Sequence, residues 1–508
     1  MDKSVVVWGW NLFLLFFAFL AFLTYFGHKK TKGLVDFLAA RRSYGPIIVG
    51  LALGATTCSA AATMGNPGLV FNMGWPALWY AFGYGGAVVA WAFVAFKLSK
   101  ISTRMSAKSL PDYMGIRFQS NYMRAITAIV TLTMIYYVAG QFAGTGWIFD
   151  RILNIPYHFG VILAGIIIAA YIVIGGTHAE VLNSAIQGVI MLVLALFVTF
   201  TVLYYVGTIS EINDKLTAQD PNLSWDVVFN NPFFGEFTGP GIMISLALFA
   251  LTPQLSKMWF TLREERQIPT TLLVGLVFMF FMGLLMWLGG LGARAVVPDV
   301  PPDVGVLEML TKFMPAPVIA MAGVAILAAI MSTTSGLFLV LSIAVANDIF
   351  RDLIVPRFKK KMSEEQADRI TFLGTRMMIP IVMLVGIIIA FNPPQFLTAL
   401  MWIGIGAFVG GISPVMIVGS VWRKTTKAGA IVGSTLGFGS YLILYFIMGQ
   451  QLGVTLFTVP WAGSTVAMII AFSSCIIVSL FTIPLPEEHL NKIFEAENET
   501  DQSPAINK

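Results

Sequence analysis

Charge is what this sequence has least of. Only 11% of its 508 residues are Asp, Glu, Lys or Arg, where a soluble domain carries about 25%. Its two cysteines, Cys58 and Cys475, lie in apolar runs and build no disulfide framework. Its four histidines, His28, His158, His178 and His489, fall at run edges or in the tail. No metal-ligand spacing links them. A P-loop is absent, which excludes an intrinsic ATP motor. No polar stretch is long enough for an appended enzyme domain, so an enzyme is not expected. Carriers and channels remain.

Hydrophobic residues make up 57% of the chain and the mean hydropathy is +0.81. Apolar runs of about 20 residues recur along the whole length, the mark of an all-α polytopic membrane protein. A transmembrane β-barrel would show alternating segments of about 10 residues instead. Thirteen spans are expected, near 5–26, 46–72, 77–96, 122–148, 158–175, 181–206, 240–262, 270–297, 317–347, 373–391, 396–421, 428–448 and 458–482. The first, Val5 to Phe26, is too long for a signal-peptide core and precedes Lys29, Lys30 and Lys32, so it reads as a retained helix.

Placing the N-terminus outside puts all but five of the 31 basic residues on the cytoplasmic side. The exceptions are Lys3, Arg151, Lys215, Arg294 and Lys312. This is the positive-inside asymmetry. It places the chain in a plasma (inner) membrane with its C-terminus cytoplasmic. The net charge of +5 then concerns orientation and the anionic lipid bilayer, not nucleic acid. The outer loop from Gly207 to Gly239 is acidic, with Asp214, Asp220, Asp226 and Glu236. The inner segment from Arg351 to Arg376 is basic. The tail from Pro486 is acidic and reads as disordered.

Two spans carry breaks. The second contains Gly54-Ala55-Thr56-Thr57-Cys58-Ser59 and then Gly65-Asn66-Pro67-Gly68, and the seventh contains Thr252-Pro253-Gln254. Proline lacks the N–H that a continuing helix needs. These spans are five helices apart. Interrupted helices at matching positions of two inverted repeats are where secondary transporters bind their cargo. The expected organisation is a preceding helix (1–26), two five-helix repeats (46–206 and 240–421), two following helices (428–482) and a polar cytoplasmic tail (483–508).

The apolar stretch from Pro317 to Val345 carries four successive hydroxyls, Ser332-Thr333-Thr334-Ser335. A buried hydroxyl without a partner costs roughly 1–3 kcal/mol. Such hydroxyls often bond back to the preceding turn or let helices pack closely. Their pairing with a broken span at a repeat-equivalent position argues for a binding site. The 26 Asp and Glu residues all fall in loops, tails or span edges, with Glu180 the most nearly embedded. A proton relay would want an embedded carboxylate or histidine. A cation at that depth must therefore use hydroxyls and freed carbonyls. Ala329, Ser332 and Thr333 share a helix face, and carbonyls near Ala55 and Cys58 complete the shell. Neutral hard oxygens suit Na⁺ better than a divalent ion.

Several motifs resemble the sodium:solute symporter family. They are Arg42-Ser43-Tyr44-Gly45-Pro46 and the Ala-rich stretch Ala328 to Thr333. Trp422-Arg423-Lys424 is followed by Lys427-Ala428-Gly429-Ala430. Gly175-Gly176 leads to Gln187, and Ser109 to Tyr113 forms another. The resemblance implies a LeuT-like 5+5 inverted-repeat fold working by alternating access. It implies a sodium site at Ala55, Cys58, Ala329, Ser332 and Thr333, with Arg42 near the cytoplasmic gate and Pro253 as a gating break. Several members carry an aspartate near the position of Ser184 that helps hold a second sodium; its absence here favours one Na⁺ per cycle.

Segments around Asn183 and Gln141 look closer to the pantothenate and monocarboxylate branches, so a small carboxylate solute is the first expectation. Proline or another zwitterion is the alternative. Candidate solute contacts are Ser59, Tyr137, Gln141, Phe249 and Gln254. A passive channel or a membrane sensor is the rival class, though the chain has no signalling domain.

Overall fold

The computed structural model describes residues 3–40, 42–105, 107–229, 238–355, 363–392 and 397–494. Arg41, Glu236, Arg357, Lys359–Lys361 and the acidic tail beyond Phe494 lie outside the described residues. The chain is almost entirely helical; among the described residues one isolated parallel bridge, Tyr44 to Leu262, is its β-structure. Among the described residues ten helices are long and apolar enough to cross a bilayer, or eleven counting one bent pair. The chain is a multi-pass membrane protein.

Three places explain where continuous helices and expected spans part company. Tyr157–Val206 is continuous over 50 residues, about 75 Å at 1.5 Å per residue. That is more than twice the hydrocarbon thickness. Its backbone leaves the helix at Gly176, with φ 57° and ψ −149°. Before this point Tyr157 Oη donates to Ala390 O and Arg376 Nε donates to Val173 O. After it, Asn183 Nδ2 reaches Thr24, while Leu194 and Phe197 share a groove with Leu12 and Phe16. The first arm ends beside the last turn of the opening helix Lys3–Lys30, where His28 Nδ1 bonds to Ile174 O. The second arm runs back along it. The segment thus turns at Gly176, between the runs expected at 158–175 and 181–206.

The second place is the span holding Pro46–Thr57, the π-turn Ala61–Gly65 and Asn66–Met73, bent by 61°. Pro67 is not the break. It sits in the first turn of Asn66–Met73, where proline's missing N–H costs nothing. The helix ends instead at Cys58, whose backbone is extended (φ −93°, ψ 92°) and whose N–H makes the last bond, to Gly54 O. The counterpart break, the third place, falls at Ala250 to Thr252, just ahead of Pro253, which opens the restarted helix where its missing N–H costs nothing. Thr238–Phe249 tightens into i−3 bonds at Ala250, Leu251 and Thr252. The chain then restarts as Pro253–Ser256 and Met258–Thr261.

The hydroxyl-bearing helix Ala316–Ile343 crosses behind the first break, buried from Ala322 to Ile343. On the side where the opening helix begins, the far end of the first broken span is tied to neighbours. Thr398 Oγ1 donates to Asn66 Oδ1, and Asn66 Nδ2 donates to Tyr84 Oη. Asp303 accepts from Leu397 N–H at 3.3 Å through Oδ2. Its Oδ1 is sealed from solvent, and a Cβ built on Gly68 would come within 2.6 Å of it. Burial pushes the Asp303 carboxyl up to about 7.

Two outcomes follow from these contacts. A methyl at Gly176 would meet the Phe37 ring at 2.5 Å on a left-handed backbone. Gly176→Ala is therefore expected to lower the melting temperature by the equivalent of about 1–2 kcal/mol or more. Gly85→Ala, whose Cβ meets nothing within 4 Å, should leave it level or slightly raised. Equal melting temperatures for the two variants would refute the strained turn. For Asp303, the folded state prefers the protonated form. As pH rises from the ordinary Asp range toward about 7, the unfolded chain loses that proton first. The contribution of Asp303 to stability thus falls across this window. Thermal melts should show the wild type losing stability relative to Asp303→Asn between pH 4 and 7; parallel profiles would refute it.

Candidate ion and solute site

In a continuous helix the amides of Ala60 and Ala61 would bond to the carbonyls of Thr56 and Thr57. Here Ala60 N–H donates to Gln141 Oε1 at 3.0 Å, and Ala61 N–H donates to Ser59 Oγ at 3.0 Å. The carbonyls at the end of Pro46–Thr57 are freed, and with no water in a bilayer core they must find partners within the protein. The hydroxyl helix supplies them. Ser332 Oγ lies 2.9 Å from Ala55 O and 2.8 Å from Ala329 O. Thr333 Oγ1 lies 2.9 Å from Thr56 O and 3.3 Å from Ala329 O.

Four of the five expected ion ligands, Ala55, Ala329, Ser332 and Thr333, are thus joined directly. The fifth, Cys58, ends the same helix. Its thiol faces Met279 Sδ at 3.6 Å, which leaves the backbone as its free donor. Thr56 joins the group through its carbonyl and was not on the expected list. Thr334 and Ser335 bond back to Ile330 O and Ser332 O, as expected of back-bonding hydroxyls, and Ser335 also meets the Tyr171 hydroxyl. Each of the four successive hydroxyls is fully buried. The cluster offers several neutral oxygens to a small cation, whose arrival would turn the hydroxyl lone pairs inward. Among the described residues no group of three His, Cys, Asp or Glu could hold a metal.

On the far side of Ser59 the solute candidates gather. Tyr137 Oη donates to Ser59 Oγ at 3.0 Å. Gln141, on the same helix Ile135–Ile148, holds Ala60 N–H and turns its Nε2 to Met401 Sδ. The Tyr137 and Phe249 rings meet edge-on at 5.9 Å. Ser59, Tyr137, Gln141 and Phe249 therefore line one junction between the two breaks. Gln254 does not join them. Its Nε2 donates to Thr252 Oγ1, and its stem packs near Gly336 on the hydroxyl helix.

The gating candidates Arg42 and Pro253 lie apart. Pro253 opens the restarted helix. Arg42 is exposed and left-handed (φ 51°), and its backbone N–H bonds to Phe260 O. Tyr44 and Thr261 continue that pairing. This strip ties the start of one broken span to the end of the other through backbone.

One expectation fails here. No charge was expected at the depth of the cluster, yet Glu180 and Lys257 form an ion pair with both side chains almost wholly buried. The sequence placed Glu180 at a span edge and Lys257 in an inner segment. Glu180 lies four residues past the Gly176 reversal, and Lys257 four past Pro253. Each is carried inward by the element that resumes after a break. A charge one turn beyond a break was the available signal.

The family model for the sodium:solute symporter family matches residues 37–437. The high-affinity proline transporter PutP of Bacillus subtilis is 26% identical over 440 residues, 82% of this chain and 88% of that protein. A sodium/proline symporter of Staphylococcus aureus (strain JH9) is 28% identical over 454 residues, 84% of this chain and 85% of that protein. Among solved structures, a substrate-bound outward-open Na⁺-coupled sialic acid symporter superposes with TM-score 0.76 at 16% identity. It covers 94% of this chain and 98% of that chain. The nucleobase-cation-symport-1 family transporter MHP1 gives TM-score 0.51 at 11% identity over 90% and 97%. These likenesses carry the LeuT-type fold. Matched over most of its length and built around paired helix breaks, the chain belongs to the sodium:solute symporter family and is a sodium-coupled solute symporter rather than an enzyme.

Proposed function

We propose that this chain imports proline, or a closely similar small zwitterion, with Na⁺. The observation that carries the sodium half is the bonding of Ser332 and Thr333 to the freed carbonyls of Ala55 and Thr56. For the solute, the carboxylate reading yields to the zwitterion. The relatives cited are proline carriers matched over more than 80% of this chain. A zwitterion also brings its own balancing charge to a junction built of Ser59, Tyr137, Gln141 and Phe249, none of which is charged. The restarting helix beyond Ser59 offers a positive dipole end to a carboxylate. The Tyr137 and Phe249 rings suit the pyrrolidine body and its ammonium.

The mechanism follows from which elements each ligand touches. With the N-terminus outside, Na⁺ enters from outside and joins the first broken span to the hydroxyl helix. That fixes Ser59 and the restarting turn, and so completes the solute junction. Solute in turn holds the break that frees the sodium carbonyls, so each ligand raises the other's affinity equally. The repeats 46–206 and 240–421 then rock, and the strip from Arg42 to Tyr44 parts from Phe260 to Leu262 to open the cytoplasmic side.

Proteoliposome uptake of labelled proline, pyruvate, acetate and pantothenate tests this. Proline is expected to accumulate only with an inward Na⁺ gradient. Ser332→Ala and Thr333→Ala should each raise the Na⁺ concentration for half-maximal uptake about tenfold, the worth of one lost polar contact. Membrane insertion should not change. Unchanged Na⁺ activation in both variants would sink the sodium site. Gradient-driven pyruvate uptake without proline uptake would sink the zwitterion.

A further inference from the structure

The buried pair of Glu180 and Lys257 has no part in the cycle just described, yet it borders the sodium oxygens. A Cβ built on Gly336 would lie 2.8 Å from Glu180 Oε1, 3.2 Å from Gln254 Cβ and 3.4 Å from Thr56 Cγ2. Gly336 is one turn beyond Ser332 and Thr333. Thr56 serves both places, since its carbonyl receives Thr333 Oγ1 while its side chain faces this notch. Lys257 Nζ bonds to Glu180 Oε2. Among the described residues, Glu180 Oε1, Thr56 Oγ1 and Gln254 Oε1 are buried without a hydrogen-bond partner.

We propose that the Glu180 carboxylate is a second cation position whose cation is the chain's own Lys257 ammonium, held on Oε2 beside this notch, so that one Na⁺ is coupled to each solute. The inference rests on the sodium site at Ser332 and Thr333. A lone buried carboxylate costs several kcal/mol, and a paired cation removes most of that cost. Around Gly336 stand one carboxylate oxygen, the Thr56 methyl and the Gln254 stem; the Thr56 hydroxyl and Gln254 amide oxygen on those same side chains are unpartnered hard donors of the kind that suit a monovalent cation. Lys257 fills the charge requirement without dissociating, because it is tethered to the helix that restarts after Pro253. An electroneutral notch also spares the neighbouring Na⁺ the repulsion of a second free cation at short range. Removing the ammonium while leaving the carboxylate converts the notch into a site for a mobile ion.

The test measures Na⁺ dependence of solute uptake, and of melting temperature, for wild type, Lys257→Met, Glu180→Gln and the double variant. The wild-type Hill coefficient for Na⁺ should be about 1, rising toward about 2 in Lys257→Met and returning to about 1 in the double variant. Na⁺, but not choline, should raise the melting temperature of Lys257→Met more than that of wild type. Glu180→Gln leaves an unpaired ammonium and should raise the half-saturating Na⁺ concentration about tenfold, with the double variant restoring it. A Lys257→Met protein with an unchanged Hill coefficient and an unchanged Na⁺-induced melting shift overturns the proposal. If Lys257→Met does not reach the membrane, equal Na⁺ affinity in Glu180→Gln and the double variant overturns it. The wild type decides alone if neither single variant is recovered. A thermodynamic coupling ratio of one Na⁺ per solute supports the proposal, and a ratio of two overturns it. Loss of the sodium site itself would appear separately, as unaltered Na⁺ activation in Ser332→Ala and Thr333→Ala.

Discussion

The rest of this structure hangs on backbone carbonyls that a bilayer gives no water to satisfy. Once Pro46–Thr57 stops at Cys58, the oxygens of Ala55 and Thr56 must bond within the protein. Ser332 and Thr333 take them, and this clamps a helix of the second half against the opening break of the first. In the proposed cycle the same two groups serve as partners for each other or as ligands for an ion. Such interchangeability suits a site that must fill and empty in every cycle.

Placement of the breaks orders everything around the cluster. The first break turns Ser59 and Ala60 toward Tyr137 and Gln141. The second turns Phe249 toward the same place while sending Gln254 and Lys257 to the opposite side. The proposed solute contacts and the buried charge thus gather at different places around the two breaks, with Thr56 reaching both the hydroxyl pair and the charged notch. The reversal at Gly176 completes the layout by carrying Glu180 inward.

Much of the site was legible because its chemistry is local. Four hydroxyls in an apolar run, and a run of small residues ahead of Pro67, mark backbone and side-chain oxygens in need of partners. Residues three and four apart on one helix face are neighbours wherever that helix packs. The first span carried two break signals, Pro67 and the small-residue run up to Ser59, and the helix stops at the latter. Pro67 advertises a broken helix, but it occupies a first turn where its missing N–H is harmless, and Cys58 to Ala60 do the breaking with no proline at all. Gln254 turns toward Thr252 and Gly336 and not toward Ser59, since one residue past a break can face either way.

Sequence alone determined the class, the hydroxyl cluster and its partner span, because apolar run length, small-residue clusters and side-chain oxygens are properties of short windows. Tertiary structure alone decided the pairing of Glu180 with Lys257. The two are 77 residues apart, and each read as the edge of its own run. A charge is assigned to the surface or the interior by what packs beside it. Here that depends on where two interrupted helices resume, which no single window contains.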